Sequence, residues 1–182
     1  MDKAFKFGLL LGRFQTFHNG HREMVRTALH TCDKVLLFIG SSQESRTEKN
    51  PFTYEERREF ITSVFKKEIN AGTLIILPLE DRGLGNNSSW GQYVLDSIPA
   101  EYGKPDVAIS AKEERRTTWY PDIAELLIPK YGDISATQVR KLMTEGNRTE
   151  WQKLVPSQNH RLFNKMREIL IKSECNTNTQ SI

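Results

Sequence analysis

The chain has 182 residues, 37% of them apolar and 27% charged, with a formal net charge of +3 at pH 7. That length suits one domain with a core of its own, and the composition is that of a globular protein, not of a disordered or fibrous one. The charge is too mild to argue for a nucleic-acid partner, though it does not oppose a small anionic substrate, and no apolar run reaches the roughly 20 residues of a membrane span.

The first residues, MDKAFKFGLLLGRF, hold a short apolar stretch and no small-residue cleavage site, so they read as a first strand, Phe5–Leu11, and not as a signal peptide. Met24, Val25, Ala28 and Leu29 then share one helical face, and Lys34–Ile39 forms a second strand. Phe60, Ile61, Val64 and Phe65 mark the next helix, and Thr73–Leu79 the third strand. A helix carrying Trp90, Tyr93 and Val94 precedes a fourth strand at Asp106–Ser110, and Glu125–Pro129 is a weaker fifth. Strands alternating with helices predict an α/β fold, a Rossmann-like doubly wound parallel sheet with ligands beyond the C-terminal strand ends. A C-terminal helical segment follows, with helices at Ala136–Glu145 and Thr149–Leu154 and a last one presenting Leu162, Phe163, Met166, Ile169 and Leu170. The polar, aperiodic stretch Ser173–Ile182 reads as a flexible tail, which leaves one domain over residues 1–172. Cys32 and Cys175 form no metal-ligand pattern, and reduced thiols in a cytoplasmic protein are the simplest account.

The first strand runs into Gly12-Arg13-Phe14-Gln15-Thr16-Phe17-His18-Asn19-Gly20-His21. Amides at the start of the following helix point outward and favour phosphate. His18 and His21 add side-chain donors, Arg13 a planar cationic fork, and Gly20 room for close backbone approach. The plainer reading is a helix N-terminus with incidental histidines, and the strand and GRF in front weigh against it. GRFQTFHNGH resembles the signature of the HxGH nucleotidyltransferase superfamily, particularly of archaeal-type nicotinamide-mononucleotide adenylyltransferases, which usually have proline where Thr16 stands. The resemblance implies that His18 and His21 contact the ATP phosphates and stabilise the transition state, with Arg13 on the phosphates.

After the second strand, GSSQESRTEKNPFTYEER is by physics alone a polar loop before a helix capped by Thr53 and Glu56. It is similar, nearly position for position, to that family's GSxQxSxTxxNPFTxxER. The resemblance places Ser41, Ser42 and Arg46 near the nucleotide phosphates and gives Thr53, Glu56 and Arg57 an organising role. After the third strand, Trp90 reads either as a half-buried core residue or as a platform for a pyridine ring. Similarity to the family's DxxxNxxW favours the second, with Asn87 (or Asn86, since this loop is longer) on the carboxamide. ISATQVR, residues 134–140, reads as a capped helix start from Ser135 and Gln138 alone. It resembles the superfamily's ISxTxxR, which implies that Ser135, Thr137 and Arg140 meet the outer phosphates. The W–LVP segment at Trp151, Leu154, Val155 and Pro156 continues the likeness. Residues 111–122 lack the family's SxNPLV, and the charge run Lys112–Arg116 reads as a solvated face.

Taken together, the resemblance implies an enzyme that transfers adenylyl from ATP to nicotinamide mononucleotide, giving NAD and pyrophosphate. Catalysis is expected from Arg13, His18, His21 and Arg140. ATP or phosphate contact is expected from Gly12, Phe14, Gly20, Ser41, Arg46, Ser135 and Thr137, and pyridine contact from Asn87 and Trp90. Mg2+ is expected to travel with ATP, without a protein metal site. A homo-oligomer, cytoplasmic, without nucleic-acid or membrane partners, completes the expectation. Nicotinate mononucleotide as acceptor, or both acceptors, is the nearest alternative, and a non-catalytic NAD sensor of the same fold the most distant. The residues after Arg140 are too few for a fused pyrophosphatase domain of the kind some relatives carry.

Overall fold

The computed structural model describes residues 2–84, 88–111, 119–120 and 122–179, with the backbone alone over 174–179. Strands β1 (Phe5–Gly12), β2 (Cys32–Ile39), β3 (Leu74–Pro78), β4 (Val107–Ser110) and β5 (Ala124–Leu127) form one sheet in the order β3-β2-β1-β4-β5, every pairing parallel. Helix α1 (Asn19–Thr31) joins β1 to β2, α2 (Tyr54–Val64) and α3 (Lys66–Asn70) join β2 to β3, and α4 (Ser88–Asp96) lies between β3 and β4. The doubly wound arrangement read from the sequence is the one observed. The chain builds outward from β1 through β2 to β3, then crosses to the other side of β1, so strand order reverses between β1 and β4. Ligands in open parallel sheets bind at such a reversal, beyond the carboxyl ends of the strands; here those ends are Gly12 and Ser110.

Period-2 alternation in the central strands divides the core into two layers. Leu10, Val35, Leu37, Ile39, Val107 and Ile109 face one layer, together with Val25 and Ala28 of α1 and Phe60 and Ile61 of α2. Phe7, Leu9, Leu36, Phe38 and Ala108 face the other, with Val94 of α4, Trp119 and Tyr120. Strands buried on both faces account for the unbroken apolar runs in β1 and β2. Helix α4 approaches the segment before β5 very closely: a Cβ on Gly91 would lie 1.8 Å from the Trp119 carbonyl oxygen. Only glycine fits there.

Helices α5 (Ala136–Thr144), α6 (Arg148–Leu154) and α7 (Phe163–Thr179) close the first layer through Val139, Met143, Trp151, Phe163, Met166 and Leu170. Leu162, expected in the last helix, ends a 3-10 turn at Ser157–Leu162 instead. The boundary expected at residue 172 is not a helix end, because α7 runs on to Thr179. No glycine or proline interrupts it, and an already nucleated helix adds one backbone bond for each further residue. Among the described residues no helix is long and apolar enough to cross a membrane.

Candidate active site

Three segments at the carboxyl edge of the sheet meet around the end of β1. The first is the histidine loop. Phe14 takes a left-handed conformation, φ +52°, and its ring is buried; a bulky residue persists in that region only where its surroundings hold it. Phe17 is buried beside it, with ring centroids 6.0 Å apart. Against this aromatic floor lies the His21 imidazole, with His18 on its other side. His21 meets Phe14 edge-on at 4.9 Å and stacks on Phe17 at 5.7 Å, and the two histidines stack on each other at 3.7 Å.

His18 is the N-cap of α1. Its Nδ1 accepts the His21 backbone N–H at a long 3.4 Å. That use of Nδ1 as acceptor puts the ring proton on Nε2, where it can be donated to a ligand. Burial pulls His18 down to about 4. Burial also takes His21 well below the ordinary histidine value, aided by the adjacent His18 and opposed by the Thr16 carbonyl. At neutral pH both rings are therefore neutral: His18 presents Nε2–H, while the single N–H of His21 faces the Thr16 carbonyl. At Gly20 an added Cβ would stand 3.1 Å from the His18 ring, so this glycine makes room for the imidazole.

The second segment follows β2. Ser41 is buried with φ +48°, and the Gly40 N–H donates to the Gly12 carbonyl at 2.9 Å. Thr53 and Glu56 form the expected capping box on α2. One turn on, Arg57 is 0% exposed, yet its hydrogen bonds go to carbonyl oxygens: Thr53 at 3.1 Å, Arg13 at 3.0 Å, Gly40 at 2.7 Å and Ser41 at 3.0 Å. Burial and the Arg13 cation lower this guanidinium to about 10, so it stays charged. It gathers the backbone that leaves β1 and β2 into one frame, as the organising role implied. Arg46, expected near the phosphates, also has partners within its own loop and in helix α2. Its guanidinium forks onto Glu56, 2.7 Å on each side, and also donates to the Pro51 carbonyl at 2.9 Å. Burial pushes the Glu56 carboxyl up, but the Arg46 fork and the Thr53 N–H outweigh it and leave Glu56 below its usual value.

The third segment is the start of α5. Ser135 caps it, accepting the Gln138 N–H at 3.1 Å. Thr137 is exposed, and Arg140, half-buried, donates to the Gln15 carbonyl in the histidine loop. Burial and the nearby Arg13 lower Arg140, with Glu48 opposing. Arg13 thus lies near both Arg57 and Arg140, whose donors go to carbonyl oxygens, while the carboxylates of Glu44, Glu55 and Glu56 act on Arg57 and that of Glu48 on Arg140. Carbonyl partners leave the guanidinium charge in place for an anion.

At the next strand end, Gln43 pairs its side-chain amide with the Asp81 backbone, at 2.8 and 3.1 Å, and the Ser41 hydroxyl donates to the Asp81 carboxylate at 3.4 Å. Trp90 lies half-buried on α4, 5.4 Å from Tyr93, whose ring carries Arg82 at 4.6 Å. Asn86 and Asn87 lie outside the described residues, as do 112–118. Sequence reasoning passed over Gln15, Gln43 and Asp81 as site-builders. Polar side chains that pair with a distant backbone leave no periodic trace.

The Cytidylyltransferase-like family model matches residues 9–74, from β1 to the start of β3. A nicotinamide-nucleotide adenylyltransferase of Thermococcus kodakarensis is 34% identical over 83% of this chain and 78% of its own. One from Caldivirga maquilingensis is 29% identical over 89% of each chain. Among solved structures, a bifunctional NMN adenylyltransferase/ADP ribose pyrophosphatase from Francisella tularensis, complexed with AMP and a manganese ion, superposes over 97% of this chain with a TM-score of 0.72 at 22% identity. The present chain spans 54% of that protein, and the likeness shows the shared fold. With the Thermococcus relative covered over most of its length at 34% identity, this chain belongs to the nicotinamide-nucleotide adenylyltransferase family.

Proposed function

We propose that the chain transfers the adenylyl group of MgATP to nicotinamide mononucleotide. A 5′-phosphate oxygen of the mononucleotide attacks the α-phosphorus, the bond from that phosphorus to the bridging oxygen breaks, and pyrophosphate carries the electron pair away. The observation that carries this reading is the stacked pair of neutral imidazoles at the N-cap of α1, in the loop whose Gln15 carbonyl holds Arg140, itself near Arg13. No residue is asked to become a covalent nucleophile. Preorganised donors aimed at developing phosphate charge supply the rate, because they need not reorient during reaction.

In this reading His18 and His21 contact the reacting α- and β-phosphates, His18 through its Nε2–H, and Arg13 and Arg140 hold the leaving pyrophosphate. The free amides at the starts of α1 and α5 and the Ser41 backbone add neutral donors, with Gly12, Phe14 and Gly20 shaping the floor and Ser135 and Thr137 contributing hydroxyls. Among the described residues no group of three or more His, Cys, Asp or Glu side chains could hold a metal ion. This donor set suits Mg2+ arriving on the triphosphate, bound by phosphate oxygens and water. Trp90 and Asn87 are proposed to receive the pyridine and its carboxamide. A homo-oligomeric state is carried from the family resemblance, and light scattering decides it.

The direct test incubates the purified chain with ATP, Mg2+ and either nicotinamide or nicotinate mononucleotide, and follows pyrophosphate and dinucleotide together. NAD and pyrophosphate in equal amounts are expected with the carboxamide. Pyrophosphate release with neither acceptor overturns the reading.

A further inference from the structure

Gln15 lies in the middle of the histidine loop with 4% of its surface exposed. A buried primary amide is costly unless both its carbonyl and its NH2 are met. Here one residue of another loop meets both: the Phe52 N–H donates to Oε1 at 3.0 Å, and Nε2 donates to the Phe52 carbonyl at 3.1 Å. The pair forms a rung like that of a sheet ladder, made between a side chain and a backbone. Its far side is rigid, because Phe52 is fully buried and packs edge-on against Phe60 of α2 at 5.4 Å. The main-chain carbonyl of the same glutamine accepts Nη1 of Arg140. One residue therefore touches all three segments of the site.

The choice of side chain follows from this geometry. Glutamate could accept from the Phe52 N–H but could not donate to its carbonyl, and it would bury a negative charge beside incoming phosphates. Asparagine is one methylene too short for the same span, and methionine fills the volume but leaves two buried backbone groups unpaired. The use of a carbonyl to hold Arg140 matters equally. A carboxylate would neutralise the guanidinium and compete with the triphosphate. A carbonyl takes one of its five N–H donors and leaves the charge and the other donors for phosphate oxygens.

We infer that Gln15 is a positioning residue for the transfer: its side chain anchors the histidine loop to the loop after β2, and the carbonyl thus fixed aims Arg140 at the departing phosphates. The inference rests on the adenylyl-transfer reading above.

The test is a double-mutant cycle of Gln15→Met and Arg140→Ala, reading kcat and the KM of each substrate, with thermal melting alongside. Gln15→Met is expected to lower kcat/KM for ATP about ten- to a hundredfold, as for a slightly misplaced catalytic group, while KM for the mononucleotide changes less than about threefold. In the Arg140→Ala background the same substitution should cost less than about threefold further, because the two act as one unit. Losses that multiply in the double variant, or KM values that rise together for both substrates, overturn the inference and leave Gln15 a packing residue. If Gln15→Met does not fold, Gln15→Asn stays neutral and polar while falling one methylene short of Phe52, and runs the same cycle. Wild-type chain that makes no NAD sinks the adenylyl-transfer reading; wild-type chain that makes NAD with multiplicative losses sinks the role of Gln15 alone.

Discussion

Replacing His18 by asparagine separates the two jobs that this side chain holds. As N-cap, its Nδ1 accepts the His21 N–H; in the proposed mechanism its neutral, buried ring also offers Nε2–H to a phosphate. Asparagine is among the best N-caps, and losing a cap altogether costs about 0.5–2 kcal/mol. His18→Asn should therefore keep the cap and lose only the stack on His21 and some buried area, about 1 kcal/mol. His18→Ala loses cap, stack and volume together, about 2–4 kcal/mol. For a domain of this size each kcal/mol moves Tm by about 2–4 °C. Turnover should not follow that order. Asparagine, shorter than the imidazole, cannot bring a donor to where Nε2 stood, and one well-aimed donor to developing charge is worth about 10²–10³ in kcat. The assay is steady-state pyrophosphate release with NAD measured in parallel, and a thermal melt of each variant. Near-wild-type turnover in His18→Asn refutes the donor role. A melt as low as that of His18→Ala refutes the capping argument.

The neutral histidine pair also makes stability depend on pH. With His18 at about 4 when folded and near 6.5 when unfolded, the unfolded chain binds the extra proton between those values; the stability is full above 6.5 and falls as pH drops toward 4, by at most about 3 kcal/mol for this residue. Urea midpoints from pH 7 to 5 should fall more steeply in wild type than in His18→Asn, and parallel slopes count against a buried neutral ring. Arg140→Ala should weaken ATP more than NAD in titration calorimetry, because NAD has no γ-phosphate; equal losses point to a purely structural arginine. Arg57→Met strips the guanidinium from four carbonyls at once and should cost about 3–5 kcal/mol in urea unfolding, whereas a loss below about 1 kcal/mol argues that those carbonyls find other partners. Trp90→Ala should raise KM for the mononucleotide about five- to a hundredfold by analogy with base stacking, leaving KM for ATP nearly unchanged; a shift in ATP alone moves the pyridine pocket elsewhere.

Much of this protein was determined by sequence alone, and for a local reason. Strands buried on both faces must be apolar throughout, and helices with one buried face must repeat every three to four residues. The first two strands and α5 are accordingly legible within a residue or two, and α1 and α2 by their buried faces. Thr53 with Glu56 and Ser135 with Gln138 marked helix starts because caps act over three residues. The histidines and Arg140 were visible as motifs, since donors for phosphate gather at strand-to-helix turns. Only the tertiary structure decided how these pieces are held. Gln15 reaches Phe52, Arg57 reaches Arg13 and Gly40, and Arg140 reaches Gln15 across gaps of many residues. Such pairings depend on where the sheet brings its loops, and no local period records them. Arg46 adds a pairing of the same kind: its fork meets Glu56 because the capped helix α2 sets that carboxylate within its reach.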